Sequence, residues 1–387
     1  MASYIGPSGS FSHMKNLNLD KVFRTIVLKA PLSRADISRE TGLNKVTVSN
    51  CIRDLIEADI VSEEGIVSSE NGRPPMMLML SKTYGIIIGV EISGISTNFV
   101  VSDLRGTILE QAVREDKSYS PKQLVKKIKE IVDDCDKKFK TKNGVVGIGI
   151  ALPLNYNEKM QEDPNNPIPA WRGVDAESFF AEQFPDIPVA IMNTASAGAI
   201  GEIHFGDYDP STYLAYIHGN WSLKLDLYDG GETYSSDGRF YGKLGKVLIG
   251  DGSKCFNDVV SIGSLVDKFY PNTASRLEAV QNILNRQKNG DKEVDAALRK
   301  AVDYLAQAIY DVIQMFNPEA ICIGGYLGYA LNRGYMELLN EKVAALVGQA
   351  NLKGRVVTAS HLGIFNVAFG AVSWIRDNTI EYRFKEY

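Results

Sequence analysis

The sequence predicts an α/β protein headed by a winged helix-turn-helix, and three observations lead there. Beyond about residue 85, β-rich runs alternate with helical ones, the pattern of an α/β architecture. Between Leu19 and Ile60, three helical segments follow at short spacing, the last two separated by Gly42. A glycine-broken β-rich stretch, Ile60 to Ser68, comes next and reads as a hairpin wing.

A chain of 387 residues is too long for one compact unit and implies two or three domains. At 44% hydrophobic and 23% charged residues, its composition is that of a folded, water-soluble chain. No apolar run approaches the roughly 18 residues that would suggest a membrane helix. Residues 1–13 are Ser/Gly-rich and lack the basic start and apolar core of a secretion signal, so they are expected to be a tag remnant or a disordered tail. Cys51, Cys135, Cys255 and Cys322 show no CxxC spacing, which points to neither a disulfide framework nor a zinc site and suits a reducing cytoplasm. Net charge is −5, yet Met14 to Ile60 carries eight Lys/Arg against six acids. That sign suits a nucleic-acid-facing end.

The expected winged helix-turn-helix spans 14–68. Its first helix, Leu19 to Lys29, should turn Val22, Ile26, Val27 and Leu28 inward and stop at Pro31. Ser33 with Asp36 three residues on is close to a capping box, opening a helix that buries Ala35 and Ile37 and ends at Gly42. Asn44 should cap the third helix, with Val46 and Val48 alternating between groove and core. The polar groups at that tip, Asn44, Lys45, Thr47, Ser49 and Asn50, are of the kind that reaches base edges when such a helix enters a major groove. Arg34 and Arg53 suit phosphates, which fix register without reading sequence. An ordinary three-helix bundle with a solvated polar face is the alternative. Residues 69–82 are expected to be a linker. Its Gly72-Arg73-Pro74 could enter a narrow minor groove through Arg73, or simply join domains.

Further on, Ile86 to Asp103 is a glycine-punctuated β run, turned at Asp103-Leu104-Arg105-Gly106. An amphipathic basic helix over 122–140, strands over 144–150 and 189–192, and a small-residue helix from Thr194 follow. Val302–Phe316 is expected to be helical, Ala320–Ile323 a strand, and Gly363 to Ile375 a closing helix. In this order the segments resemble the ROK family of repressors and sugar kinases, over about residues 17–385. The 41–49 stretch, Gly72-Arg73-Pro74 and Trp171-Arg172 look most like its xylose-repressor branch. Asn193 with Gly201-Glu202 and Phe205-Gly206 resembles the family's sugar-contacting segment, and Ile323-Gly324-Gly325 its nucleotide-side turn.

The resemblance implies a two-lobed actin-like ATPase fold. Its first lobe would be 83–195, completed by a C-terminal helix at 365–387, and its second 196–364. It also implies a transcriptional regulator that binds double-stranded operator DNA as a homodimer or tetramer and answers to a small carbohydrate, without membrane or cofactor. Effector contacts would come from Trp171, Arg172, Asn193, Thr194, Glu202, Lys243 and Lys246.

Catalysis is not expected. The family's catalytic Asp follows the Asn matched by Asn193, and here that place holds Thr194, which cannot serve as a general base at neutral pH. The first phosphate loop reads Glu91-Ile92-Ser93-Gly94-Ile95. The second aligns with Trp221 to Asp226 and keeps no glycine, so backbone could not approach phosphate closely. Lys246 stands for the family's zinc-binding His, and of its cysteine cluster only Cys255 remains. Lysines at 243 and 246 replace sugar-binding Glu and His. They would favour an anionic sugar derivative, or else this region has drifted and they are solvated. A sugar kinase with an appended head, or a DNA-binding protein with a vestigial pocket, are the rival expectations. His204 and His218 read as ordinary packing or surface residues.

Overall fold

The computed structural model describes residues 11–65, 76–115, 119–153, 168–234, 242–352 and 355–383. Three helices open the chain: α1 (Phe11–Lys29), α2 (Arg34–Thr41) and α3 (Lys45–Glu57). Helix α1 starts well before Leu19 and so reaches into the stretch expected to be a tail. Its buried stripe is Leu19, Val22, Phe23 and Ile26, an i, i+3, i+4, i+7 set that leaves Leu28 39% exposed on the far side. Ala35 is likewise exposed, and only Ile37 and Thr41 of α2 are buried.

The wing differs from expectation. Strand β1 (Val61–Gly65) pairs antiparallel with β2 (Met76–Leu80), Val61 opposite Leu80 and Gly65 opposite Met76. Residues expected at the end of the linker are therefore the second wing strand. Buried Leu78 and Leu80 anchor it, and an isolated bridge joins Leu78 to Leu32. Ile66 to Pro75, including Arg73, lies outside the described residues.

The first lobe follows with β3 (Ile86–Ile92), β4 (Ser96–Asp103), β5 (Ile108–Glu115), α4 (Pro121–Lys138), β6 (Val145–Leu152), α5 (Ala176–Gln183) and β7 (Val189–Asn193). Its sheet order is β5-β4-β3-β6-β7, antiparallel on the β4 side of β3 and parallel on the β6 side. Helix α6 (Thr194–Phe205) leads into the second lobe, which opens with β8 (Leu214–Gly219), β9 (Leu223–Asp229) and β10 (Glu232–Thr233). A small hairpin of β11 (Leu248–Ile249) and β12 (Lys254–Cys255) precedes a helical layer: α7 (Asn257–Val260), α8 (Ile262–Phe269), α9 (Arg276–Lys288) and α10 (Lys292–Phe316). Then come β13 (Ala320–Gly324), α11 (Gly325–Leu331), α12 (Met336–Val347), α13 (Gln349–Leu352) and β14 (Val357–Ala359). Sheet order here is β10-β9-β8-β13-β14, with the same sequence of antiparallel and parallel pairings. The two lobes are thus built on one repeated plan.

The last helix, α14 (Asn366–Arg383), returns to the first lobe. Gly89 and Gly149 explain the punctuation of β3 and β6. A Cβ at either would lie 2.1 Å from a carbonyl oxygen of α14, at Ala368 and Ala371 respectively. Glycine is what lets the helix lie directly on the sheet. One apolar cluster runs without a break from Val22, Phe23, Ile52 and Leu55 of the head, through Leu78 and Leu80, to Ile87, Val100 and Leu104, and on to Phe369 and Val372. Among the described residues, no helix is long and apolar enough to cross a membrane.

Candidate functional site

The turn between α2 and α3 is set by local chemistry. Ser33 and Asp36 form a full capping box, and Gly42 takes φ 68°, where a Cβ would be strained. Asn44 then caps α3, its Oδ1 accepting from the Thr47 amide at 2.9 Å. Val48, Cys51, Ile52 and Leu55 face inward. Outward stand Asn44, Lys45, Ser49, Asn50 and Arg53, with Thr47 half-buried. Val46 is 70% exposed, an apolar group left in water beside this polar tip. Five of the residues expected at DNA are thus exposed at α3 and its cap, with Thr47 half-buried among them. Arg34 is placed differently: its guanidinium is ion-paired with Glu63 of the wing. Arg53 lies 3.8 Å from Asp54 and 3.9 Å from Glu57, exposed contacts of little strength.

The expected effector residues come from three separate segments of the chain, at 171–172, 193–202 and 243–246. Asn193 caps α6, its Oδ1 accepting from Ala195 N at 2.7 Å and Ser196 N at 3.2 Å. Thr194 is fully buried beside it, and its Oγ1 has no hydrogen-bond partner among the described residues. Ser196 donates to buried Asp226 at 2.5 Å. Glu202 lies nine residues further along the same helix, about 13 Å away at 1.5 Å per residue. There it is buried and accepts from Asn366 Nδ2 at 2.9 Å, so it joins an internal polar junction instead of a lining beside Asn193. Burial pushes its carboxyl above the usual range. Trp171 is a buried residue of the first lobe. It stacks on Phe180 at 5.9 Å and donates from Nε1 to Tyr119 O at 2.8 Å. Its neighbour Arg172 is exposed. Lys243 is half-buried and Lys246 exposed, on a turn of the second lobe.

Around the stretches that resemble the family's phosphate loops lies an arrangement that sequence reading missed. Glu91 of β3 is wholly buried. Its Oε2 accepts from Asn98 at 2.8 Å, and its Oε1 accepts from Asn220 Nδ2 of the second lobe at 3.2 Å. His218 Nε2 stands 3.5 Å from the same Oε1 and 3.1 Å from Asn220 Nδ2. Asn220 Oδ1 accepts from Tyr326 N at 2.7 Å, and Tyr326 donates to Ser96 at 3.2 Å. Burial raises the Glu91 carboxyl to about 8, against the bond from Asn98. Burial, aided by the charge of Lys224, drops His218 to about 3. Both groups are therefore neutral near pH 7, which is what a dry interface tolerates.

Ile95, at the end of the would-be phosphate loop, is fully buried and belongs to the apolar core of the second lobe. Arg276 seals the edge, stacking on Trp221 at 3.8 Å and donating to Gly94 O at 2.9 Å. Side chains from both lobes, Glu91, Asn220 and Ile95 among them, meet at this junction. Glu91 stands in the first of these loops, while Asn98, His218 and Asn220 lie outside the stretches read as phosphate loops. Only the fold could show that they meet. The stretch matching the family's zinc motif carries Lys246 and Cys255. Cys255 donates to Asp258 at 3.2 Å, Lys246 offers no ligand, and no group of three His, Cys, Asp or Glu among the described residues could hold an ion.

A family model described as "ROK family" matches residues 87–218 and 250–378. The chain is 30% identical to a xylose repressor of Bacillus spizizenii over 325 residues, covering 80% of this chain and 82% of that protein. A xylose repressor of Caldicellulosiruptor bescii is 25% identical, with 88% and 90% covered. Among solved structures, a ROK family transcriptional regulator described as a homologue of the E. coli MLC protein superposes with a TM-score of 0.73 at 19% identity, covering 96% of this chain and 98% of that one. A ROK family glucokinase from Streptomyces griseus, solved with glucose and AMPPNP, gives 0.60 at 20% identity, covering 75% of this chain and 99% of that one. The glucokinase match leaves a quarter of this chain uncovered, and the regulator match spans nearly the whole chain.

Proposed function

Because the chain belongs to the ROK family, we propose that it is a sugar-responsive transcription repressor whose lobes sense and do not phosphorylate. The observation that carries the reading is the Asn44-capped tip of α3. Lys45, Ser49 and Asn50 stand exposed at the start of a helix held by a helix-turn-helix, on a chain whose other lobes are sugar-kinase-like. Relatives named xylose repressors support it. The absence of phosphorylation is supported by Thr194 at the catalytic carboxylate position and by Ile95 and the Glu91–Asn220 contact across the phosphate-loop position. Arg73 and Arg53 add phosphate or minor-groove contacts, and Arg34 acts by holding the wing.

The effector is a small carbohydrate or an acidic derivative of one, bound on the Asn193–Thr194 side of the cleft and flanked by Arg172, Lys243 and Lys246. The protein works in the cytoplasm as a homodimer, so that two heads meet half-sites about one helical turn apart. Effector binding acts by preferring one arrangement of lobes and heads. A tenfold loss of operator affinity corresponds to about 1.4 kcal/mol of coupling.

Selection of DNA from random-sequence duplexes by the purified chain tests the reading. An enriched motif is expected, with at least tenfold weaker gel-shift affinity in the Lys45→Ala/Asn50→Ala double variant and an unchanged circular dichroism spectrum. Equal affinity in the double variant would remove the α3 assignment. Thermal shift against xylose, other sugars, sugar phosphates and sugar acids identifies the effector class. Sugar-dependent ADP release would overturn the sensing role.

A further inference from the structure

Between the two lobes and the wing sits a turn that neither the fold nor the DNA tip explains. It joins β4 to β5, and Asp103 shapes it by accepting from Thr107 N at 2.8 Å. Leu104 is buried in the core shared with the head. Arg105 leaves this turn and grips both wing strands. Its Nε donates to Leu80 O at 2.8 Å, and its Nη2 donates to Ser62 Oγ at 3.3 Å and to Glu64 at 2.5 Å. The guanidinium side chain is only 16% exposed, unlike the Lys142–Asp59 pair nearby, whose partners are 60% and 50% exposed. A rigid, planar, multidentate contact of this kind fixes orientation as well as distance.

The same turn rests on the far end of α6. At Gly106, with φ 93°, a Cβ would lie 3.2 Å from the Phe205 ring and 3.5 Å from Arg376 Nη1. Phe205 packs on Phe369 of α14 at 5.1 Å, and Arg376 meets His204 Nδ1 at 3.0 Å. Helix α6 spans twelve residues, about 18 Å, and its other end carries Asn193 and Thr194, the side on which the effector is proposed to bind. One rigid element therefore joins the proposed effector side to the turn that holds the wing.

We propose that Arg105 is the positioning residue through which α6 sets the angle of the wing. This rests on the repressor reading above and supplies its route from effector to DNA. Displacement of α6 moves Phe205 against the Gly106 turn, and Arg105 carries that movement to Leu80 and Ser62 together.

Hydrogen exchange and DNA binding of the full chain test it. The DNA probe is a duplex enriched by the wild-type chain. Arg105→Ala should speed exchange at least tenfold in 61–65 and 76–80, leave β3 and β6 unchanged, and weaken binding about tenfold. Arg105→Lys should restore part of the wing protection, since one ammonium can replace only some of the bonds. Phe205→Ala should also speed wing exchange, and adding Arg105→Ala to it should add little, because both changes cut one route. Unchanged wing exchange in Arg105→Ala, a rise spread evenly over head and lobes, or additive effects of the two substitutions would each overturn the proposal. If the wild-type chain enriches no DNA, the repressor reading fails, while the exchange pattern still decides whether Arg105 and Phe205 share a path.

Discussion

Burial forces Glu91 to keep a proton that the unfolded chain releases. Its folded value of about 8 stands above the ordinary 4.5. The native state binds more protons than the unfolded one between these values, so this group makes stability fall as pH rises from about 4.5 to about 8 and then level off. Glu91→Gln keeps the shape and the neutral state. Chemical unfolding at pH 5.5 and pH 8 should show a smaller loss of stability in the variant than in the wild type. Parallel losses would mean that Glu91 ionises freely. Residues at this scale were unevenly legible. Asn44 and Ser33 declare themselves because a cap acts on its own next turn, within three residues. Glu91 and Asn220 are 129 positions apart, and no local rule joins them. Glu202 was expected at the effector on a segment that resembles the family's sugar-contacting one, and Trp171 on a pair that resembles the xylose-repressor branch; in the fold both side chains are buried.

The elements followed from periodicity wherever one face was apolar. Strands β5, β6, β7 and β13, with α4 and the helix after β7, lie close to where glycine and apolar runs placed them, whereas β8, β9, β10 and β14 were not read and the single run Ile86–Asp103 is two antiparallel strands, β3 and β4. The wing did not. Ile66 and Val67 after Gly65 imitate the return arm of a tight hairpin, but the partner strand is the Met-rich 76–80 run, chosen because Leu78 and Leu80 can be buried beneath the head. Pairing across such a span is a tertiary outcome. Within the head, α3 depends on its first turn. Replacing Asn44 with Ala removes the acceptor for Thr47 N and should cost about 1 kcal/mol in urea unfolding, with loss of α3 protection in hydrogen exchange. No change in either would mean that packing alone holds the tip.

At the scale of the molecule, repetition of one sheet plan in two lobes was not visible in the sequence, because the shared feature is strand order and not residue identity. The resemblance to a known family supplied it. Continuity of the apolar core between head and first lobe was equally hidden, since residues 69–82 read as a spacer. That continuity has a calorimetric consequence. The head should melt together with the first lobe and α14 in one transition, and a separate low-temperature peak for the head would contradict it.

A further consequence concerns exchange of parts. Because Phe23 and Leu55 share their packing with Leu104 and Phe369, the reading module cannot be lifted out at a boundary and grafted onto another sensor as an independent bead. A transplant that kept its operator preference and its obedience to ligand would have to carry the Asp103–Gly106 turn and the final helix along with it. Evolution of new specificity in such a chain must then work by repainting the outer side of α3, leaving its inner side committed to the sensor beneath.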